Sequence, residues 1–407
     1  MPTNFDRIID RRQSNSIKWK LFDEHVLPMW VADMDFAAPA PIQTALRAAV
    51  EHGVFGYEMP MKALRQTVAA RMKALYDWEV DEKSVVAVTG LVSGFCAAAA
   101  ALCQPGDGYL IQTPVYMPFN DIQKNLGVIR QEAQLVKQIE GRRIRYEIDW
   151  EGFEKAFNSG GSKTRMFLLC NPHNPSGAIY SRAELERMAA LCLKNETVIV
   201  SDEIHSELLL AGSKHLPLAS LSPEIAGRTI TLIAPSKTFN IAGLFCGFAI
   251  IPNDELRERY SLMVERMTLH VASLSLVAAQ RAFSGECDGW LAELLPYLTA
   301  NRDYLVNFVE KELPGIRISV PDATYLAWLD CSELVKAGRM SGAADESFLK
   351  KEHAAINRFF LKNAKVALND GAAFGTGGEN FVRLNFGCPR ELLADALQRM
   401  KKALQPQ

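Results

Sequence analysis

Hydrophobic positions in this chain fall into short apolar runs separated by longer amphipathic segments. The runs are rich in Val, Ile and Leu and occupy residues 85–88, 109–112, 166–170, 198–200, 229–233 and 247–251. Short apolar runs that alternate with helical stretches are typical of parallel strands buried on both faces of a sheet. The pattern therefore predicts an α/β fold with a mostly parallel central sheet.

The segments between the runs carry helix signals. A proline at one end and a glycine at the other bracket a predicted helix over 39–52, in the order that helix ends favour. Ser181 and Glu184 form a capping box for another helix that runs to Lys194. Further helices are predicted over 62–76, 95–102 and 289–313.

The C-terminal third of the chain has a different arrangement. After the long predicted helix, runs with alternating apolar positions predict strands over 316–320, 325–329 and 381–385, with a helix over 346–361 among them. We therefore expect a second, smaller α+β domain. The predicted organisation is an N-terminal arm with part of the small domain over 1–49, a large domain over 50–287 and a small domain over 288–407.

Three polar loops, 171–177, 201–205 and 234–240, each follow an apolar run directly. Ligands of parallel sheets bind beyond the carboxyl ends of the strands, so these loops are expected to converge. The last one contains Lys237. An amine held near an apolar core is desolvated, which favours its neutral form and allows it to form a Schiff base. A single lysine after a strand is more often a solvated cation, and it is the convergence of the loops that favours a catalytic one.

A fourth loop, 89–94, joins the run at 85–88 to the predicted helix over 95–102. A loop of small residues before a helix directs unpaired N–H groups and the positive end of the helix dipole at one point, which suits a phosphate group. Many turns from strand to helix look alike, so this interpretation depends on the other loops. Ser93 and Gly94 are the predicted phosphate-binding residues here.

The loops also carry the motifs of a known family. Asn171-Pro-His-Asn-Pro-Ser-Gly177, Ser201-Asp-Glu203 and Ser236-Lys-Thr-Phe-Asn240 resemble the fold-type I pyridoxal-phosphate enzymes of the class I/II aminotransferase family. More narrowly, the MalY/PatB branch of cystathionine β-lyases or C-S lyases is resembled by Leu27-Pro-Met-Trp-Val-Ala-Asp-Met-Asp-Phe36, Gly53-Val-Phe-Gly-Tyr57 and Phe381-Val-Arg-Leu-Asn-Phe-Gly-Cys-Pro-Arg390. The resemblance covers nearly the whole chain.

The resemblance implies pyridoxal 5′-phosphate as cofactor and assigns a role to each matching residue. Lys237 would carry the cofactor, and Asp202 would keep its pyridinium nitrogen protonated. Arg383 would bind the substrate carboxylate, for which a bidentate guanidinium is suited. The remaining implied cofactor-binding residues are Asn174 at the ring 3′-oxygen, Tyr116 against the ring, Ser93, Gly94 and Ser236 near the phosphate, and His205.

Each of these residues also has a plainer interpretation. Asp202 is suited to a helix cap or a surface charge, Tyr116 to a packed core position, and Arg383 to a surface ion pair on an edge strand. Residues 30–36, which the resemblance assigns to the mouth of the active site near the substrate carboxylate, also read as an edge strand. The motif context favours the functional interpretation in each case. We also expect the Asn174–Pro175 bond to be cis, because Asn174 must reach the ring from a tight turn.

The resemblance further implies a homodimer. Tyr57 lies in a glycine-flanked turn, and the matching tyrosine of the family crosses to the neighbouring subunit and touches the cofactor phosphate. The simpler interpretation of Tyr57 is a packed aromatic ring with its hydroxyl at the surface.

Three positions depart from the common pattern of the superfamily. His205 stands where a tyrosine is usual, Phe245 where many members carry an arginine, and Ala234 where serine or threonine is frequent. We therefore expect the phosphate to be held with less positive charge than in a typical transaminase.

Composition limits the partners. The formal net charge of the 407 residues is −2, which gives no reason to expect nucleic acid or an anionic membrane. No apolar run reaches the length of a membrane span, and the first residues lack a signal-peptide pattern, so we expect a cytoplasmic protein. The eight cysteines include no CxxC pair and suggest reduced core thiols, and no histidine spacing suggests a metal site.

These observations predict a pyridoxal-phosphate-dependent C-S β-lyase of the cystathionine β-lyase type. Its substrate would be cystathionine or a related cysteine S-conjugate, and its products a thiol, pyruvate and ammonia. The main alternative is an aminotransferase of class I/II. A binding protein that has lost catalysis is disfavoured by the retained Lys237, Asp202 and Arg383, and a dinucleotide oxidoreductase by the absence of GxGxxG after the first predicted strand.

Overall fold

One continuous β-sheet runs through the computed structural model, which describes residues 3–57, 61–338 and 355–405. Its strands, with the separate pair β1 and β12, are β1 Leu27–Pro28, β2 Val85–Val88, β3 Gly108–Thr113, β4 Ile129–Glu140, β5 Arg143–Ile148, β6 Thr164–Cys170, β7 Val198–Asp202, β8 Thr229–Ile233, β9 Gly247–Ile250, β10 Arg317–Ser319, β11 Leu326–Asp330, β12 Val366–Ala367, β13 Asn369–Asp370 and β14 Phe381–Asn385. The α-helices are α1 Ile17–Lys20, α2 Ala40–His52, α3 Lys62–Tyr76, α4 Leu91–Leu102, α5 Gln123–Leu126, α6 Trp150–Ala156, α7 Arg182–Lys194, α8 Pro223–Ala226, α9 Pro235–Thr238, α10 Asp254–Arg266, α11 Ser273–Phe283, α12 Asp288–Glu312, α13 Ser332–Lys336, α14 Ala355–Phe359 and α15 Arg390–Ala403.

The centre of the sheet is parallel and buried on both faces. The strand order is β13-β14-β11-β10-β5-β4-β3-β6-β7-β8-β9-β2, and β4, β3, β6, β7 and β8 are parallel neighbours. Met166 and Leu168 pack with α4 on one face, whereas Phe167 and Leu169 pack with α7 on the other. Because helices cover both faces there, residues 166–170 of β6 and 198–200 of β7 are all apolar and buried, whereas β4 carries many polar side chains and is partly exposed. The predicted α/β class with a mostly parallel sheet is confirmed.

The C-terminal half adds antiparallel strands to one edge. β14 pairs with β11 and β13, β11 pairs with β10, and β10 joins the larger sheet through a parallel pairing with β5. The proposed domain boundary at residue 288 coincides with the first residue of α12. Most of the helix predicted over 346–361 falls outside the described residues, of which only α14 and the turn after it belong to that range.

Helix ends follow the local signals closely. α2 ends at Gly53, which has φ +75°, and the capping box of Ser181 and Glu184 is formed at the start of α7. The start of α4 differs from the prediction, because the helix begins at Leu91 and not at Phe95. Gly90 adopts φ +112° and its carbonyl accepts the N–H of Gly94 at 3.0 Å, which closes the first helical turn earlier. Ser93 and Gly94 therefore lie inside the first turn of the helix and not in a loop.

Two further observations bear on the location and redox state of the protein. All eight cysteines are free thiols, and seven of them are buried, which confirms the prediction of reduced core thiols. In the described ranges, no helix combines the length and apolar character that crossing a bilayer requires.

Gly177 joins the loop of Asn174 to the small half of the molecule. It has φ +74°, and a Cβ atom built there would lie 2.2 Å from Pro321 Cβ. Its carbonyl accepts the N–H groups of Asp322 and Ala323 at 2.9 and 3.0 Å. No side chain can be added without moving one of these backbones.

We predict that Gly177→Ala lowers the free energy of unfolding by about 3 kcal/mol, the sum of a left-handed backbone penalty and an overpacking penalty. Gly160 is the matched control, since it has φ +68° but open space around it. Gly160→Ala should cost only about 1 kcal/mol. Denaturant unfolding of both variants measures the difference, and equal costs would show that the contact with Pro321 is unimportant.

Candidate active site

The three predicted loops meet at the carboxyl edge of neighbouring strands. Asn174 follows β6, Asp202 is the last residue of β7, and Lys237 lies in α9 after β8. Since β6, β7 and β8 are parallel and adjacent, these side chains emerge at one edge of the sheet. Arg383, on β14 of the small half, reaches the same place by donating to Asn174 Oδ1 at 3.0 Å.

Lys237 has the environment of a potential nucleophile. Its Nζ donates a 2.7 Å hydrogen bond to the carbonyl of Ala32. Burial and, to a smaller extent, the positive charge of Arg383 lower the pKa of Lys237 to about 8, while Asp33 and Asp202 act in the opposite direction. A substantial fraction of the amine is therefore neutral near physiological pH.

Asp202 is a buried carboxyl group that forms no ion pair with any described residue. Its Oδ1 accepts the N–H of Ile204 at 3.1 Å. Burial raises the pKa of Asp202 to about 7 against this hydrogen bond, the charge of Glu203 raises it too, and Lys237 opposes the shift. A cationic N–H donor placed beside this carboxylate would remove much of the cost of burying it.

Asn174 and Arg383 form the opposite wall. The N–H of Asn174 points to Cys170 Sγ at 3.4 Å, and the Arg383 guanidinium lies over the ring of Phe374 at 5.1 Å. Arg383 also donates to Trp30 O at 3.1 Å, while its Nε has no hydrogen-bond partner in the described parts of the chain. Burial lowers the pKa of Arg383 to about 10, against the effects of Tyr116 and Tyr325. The side chain remains a cation with an unused donor.

The N-terminus of α4 is open for an anion. Gly90 at the N-cap provides no side-chain hydrogen bond, and the first N–H groups of a helix have no partner inside it. Ser93 is half-buried in this turn, and Ser236 is half-buried in α9. The N–H of Gly94 is already bonded to Gly90, and its carbonyl accepts the hydroxyl of Tyr260 at 3.1 Å. The geometry thus offers Ser93 more readily than Gly94.

The departures from the superfamily pattern lie around the same space. Phe245 is 66% exposed with φ +43°, and its ring would lie 3.8 Å from a Cβ built on Gly90. An exposed phenyl ring thus stands beside the N-terminus of α4, in a position where many superfamily members carry an arginine. Ala234 is buried and brings no hydroxyl group.

His205 is buried and neutral. Burial, with smaller contributions from the charges of Lys237 and Arg383, lowers its pKa to about 3. Its ring meets Tyr325 edge-on, with centroids 6.2 Å apart, and its Nδ1 has no hydrogen-bond partner. It can therefore act as a hydrogen-bonding group but does not add charge.

The two tyrosines differ in placement. Tyr116 is half-buried before the turn 117–121, and burial raises its pKa, with Arg383 opposing and Asp202 adding to the shift. Its ring meets Phe119 at a centroid distance of 6.1 Å. Tyr57 is fully exposed and contacts none of the other described site residues through hydrogen bonds or ring packing. One chain alone therefore does not bring Tyr57 to the site.

Residues 30–36, here called the strap segment, cover the site without forming a strand. Lys237 and Tyr325 both donate to Ala32 O, at 2.7 and 2.9 Å. Asn385 donates to the carbonyls of Val31 and Asp33, both at 2.6 Å. Asn240 donates to the carbonyls of Met34 and Phe36 and accepts the N–H of Met34. The expected position of the strap segment near Arg383 agrees with the Trp30 contact.

Sequence reasoning gave no role to Asn240, Asn385 and Tyr325, although the first two lie inside quoted motifs. A segment without strand pairing needs other hydrogen-bond donors for its carbonyl groups, and this need is the signal that the sequence offered. An asparagine side chain is a suitable donor, but only the structure identifies which segment it reaches.

The prediction of a cis Asn174–Pro175 bond was wrong. The cis bonds in the described chain are Thr113–Pro114 and Asn171–Pro172. Asn174 is oriented instead by its bonds to Cys170 and Arg383, within a turn closed by Gly177 N–H to His173 O at 2.7 Å.

The geometry and the motifs agree with the family comparison. A model of the family described as aminotransferase class I and II matches residues 26–400. The chain belongs to this family. Cystathionine beta-lyase PatB of Bacillus subtilis (strain 168) is 39% identical to it, over 98% of this chain and 100% of its own length. This aminotransferase-family chain is thus confirmed as similar to the MalY/PatB branch.

Solved structures show the same fold. The PLP-bound C-S lyase from Staphylococcus hominis is 32% identical, with a TM-score of 0.88 over 100% of this chain and 99% of that chain. Cystalysin from Treponema denticola, which contains pyridoxal 5′-phosphate, is 30% identical, with a TM-score of 0.89 over 99% of each chain. The predicted fold type is therefore confirmed for this family member.

We predict that Asp202→Asn stabilises the ligand-free protein. The folded-state pKa of Asp202 is raised above its unfolded value, so its cost is absent below the unfolded pKa and is fully present once the pH exceeds about 7. The gain in unfolding free energy should be largest at pH 8, at most about 4 kcal/mol, and should shrink as the pH falls toward 4.

Urea unfolding at pH 8 and pH 5 measures this gain. Asp77→Asn is the control, because Lys73 lowers the pKa of that exposed carboxyl, and its removal should bring no gain. A less stable Asp202→Asn protein at pH 8 would contradict the electrostatic account of the site.

Proposed function

We propose that this chain is a pyridoxal-phosphate-dependent C-S β-lyase. It would cleave the Cβ–S bond of cystathionine or a related cysteine S-conjugate. The observation that carries the proposal is the convergence of Lys237 with a pKa lowered to about 8, a buried Asp202, and Arg383, which forms no ion pair with a described residue, in a chain that is 39% identical to a cystathionine β-lyase over 98% of its length.

The residues present fit the cofactor at each of its parts. The amine of Lys237 can bind the aldehyde carbon, and the carboxylate of Asp202 can accept the N–H of a pyridinium nitrogen. When bound, the cofactor supplies an electron-withdrawing ring that stores the electrons released at the substrate Cα. The further ligands in this proposal are Asn174 and His205 at the ring 3′-oxygen side, Tyr116 against the ring face, and Ser93, Gly94 and Ser236 at the phosphate.

The chain itself performs three tasks in the proposed reaction. Arg383 binds the α-carboxylate of the substrate with charge-assisted hydrogen bonds. The amine of Lys237, once displaced by the substrate amine, removes the Cα proton. The Cβ–S bond then breaks with its electron pair on sulfur, the thiolate takes up a proton, and the three-carbon remainder hydrolyses to pyruvate and ammonia.

The proposed assembly is a homodimer. Val54, Phe55 and Tyr57 are exposed by 70%, 58% and 109%, and Phe245 is also exposed near the start of α4. The apolar side chains exposed together at residues 54–57 mark this face of the protein as an interaction site. A second copy that covers this face would bring its Tyr57 to the phosphate end of the site, where Phe245 and Ala234 supply no charge. A cytoplasmic location is part of the proposal, since eight free thiols suit a reducing compartment.

The reaction is tested by incubating the purified, cofactor-loaded protein with L-cystathionine. We expect pyruvate and homocysteine in equal amounts over many turnovers, with little conversion of the cofactor to its pyridoxamine form. Lys237→Ala is the control and should release no thiol, because the base is lost. An absence of thiol with rapid pyridoxamine formation from an ordinary amino acid, reversed by a keto acid, would instead establish an aminotransferase.

The assembly is tested with Tyr57→Phe. The variant should keep its fold and its dimeric sedimentation but release cofactor about tenfold more readily, since one hydrogen bond to a charged group is lost. Tyr304→Phe removes a hydroxyl that bonds to none of the described residues and is the control. A wild-type protein that sediments as a fully active monomer would refute the shared site.

A further inference from the structure

Arg383 is a buried cation surrounded by neutral acceptors. It donates to Asn174 Oδ1 at 3.0 Å, Trp30 O at 3.1 Å and Asn369 Oδ1 at 2.6 Å. No described carboxylate forms an ion pair with it, and the groups that oppose the lowering of its pKa, Tyr116 and Tyr325, are neutral at physiological pH. Its positive charge is therefore stabilised by dipoles and by the ring of Phe374, and is not neutralised.

Asn369 makes the shortest of these contacts and belongs to none of the motifs. It lies on β13 directly opposite Arg383 on β14 in the antiparallel ladder. Side chains of directly opposed residues lie on the same face of a sheet within contact distance. The backbone register therefore fixes Asn369 beside the guanidinium, and the chemistry of position 369 decides what the guanidinium meets there.

Aspartate has nearly the same shape as asparagine and would accept the same hydrogen bond. In a buried place it would also form an ion pair with Arg383, and a substrate carboxylate would have to compete with it. The carboxamide holds one N–H of Nη2 without supplying a charge. Nε, which is buried, and one N–H of Nη1 have no hydrogen-bond partner among the described residues.

We infer that Asn369 is a specificity-determining positioning residue, which orients the Arg383 guanidinium and leaves its charge for the α-carboxylate of an amino-acid substrate. The inference rests on the proposed function in one respect, the assignment of Arg383 to that carboxylate. It does not depend on whether thiol elimination or transamination follows.

The test compares two ligands that differ only in the carboxylate. Neither 2-aminoisobutyrate nor tert-butylamine has a Cα proton to lose, and tert-butylamine carries a methyl group in place of the carboxylate. Both are titrated into the cofactor-loaded protein, with the visible absorbance of the bound cofactor as readout. The ratio of their dissociation constants measures the preference for the carboxylate, independently of turnover.

In N369D we expect the preference for the carboxylate ligand to fall by about tenfold or more. The new aspartate would form a charge-assisted pair with the guanidinium and compete with the carboxylate of the ligand. In N369A, where an acceptor is lost but no charge is added, it should fall by about threefold or less. N369D should be at least as stable to heat as the wild type, because the new carboxylate gains a partner. N380D adds the same charge before β14 with no side-chain bond to Arg383 among the described contacts, and should leave the preference within about twofold at physiological salt.

Three results would overturn the inference. These are an unchanged preference in N369D, equal losses in N369A and N369D, and an unfolded N369D, since the inference requires aspartate to pair with Arg383. A wild-type protein without any preference would overturn the carboxylate role of Arg383 as well. A wild type that prefers 2-aminoisobutyrate but releases no thiol from cystathionine would refute the lyase reaction alone.

Discussion

The site is built on the burial of three ionisable groups around one space without direct ion pairs between them. Burial pushes each pKa toward the neutral form, to about 8 for Lys237, about 7 for Asp202 and about 10 for Arg383. Such an arrangement costs folding free energy unless opposite charges arrive. A pyridinium N–H at Asp202 and a carboxylate at Arg383 are the charges that would offset this cost. The same desolvation that destabilises the empty site therefore favours its ligands.

The strap segment depends on the same groups. Its carbonyls accept hydrogen bonds from Lys237 and Arg383 as well as from asparagines, so the two cations are tied to backbone in this state. Its other side is held by Asp35, which is buried with Lys18 at 2.7 Å and Trp19 Nε1 at 2.8 Å. A buried ion pair of this kind gives position more than net stability. The strap segment is thus held on one side by the buried ion pair of Asp35. On the other side it is held by hydrogen bonds from Lys237 and Arg383, which a ligand could replace.

Sequence reasoning predicted the fold and named most residues of the candidate site because both leave local signals. Strand-loop motifs identify Asn174, Asp202 and Lys237, and parallel pairing of their strands makes them neighbours. Other features depend on contacts between residues that are distant in the sequence. The bond between Asn369 and Arg383 comes from strand pairing, and the bond between Tyr325 and Ala32 joins residues 293 positions apart. The start of α4 was misplaced because the backbone of Gly90, and not helix propensity, decides it.

At the proposed phosphate-binding end of the site, a single chain supplies little positive charge. A phosphate dianion needs more than the half charge that a helix N-terminus supplies. Here Phe245 stands beside that terminus in place of a cation and exposes its ring to solvent, at the same face as Val92. Exposed aromatic and aliphatic groups next to an uncapped helix end are unfavourable in a monomer, but they suit a surface that a second copy covers. In the proposed dimer, hydroxyl donors would replace the missing cation, and retention of the cofactor would be coupled to association of the two chains.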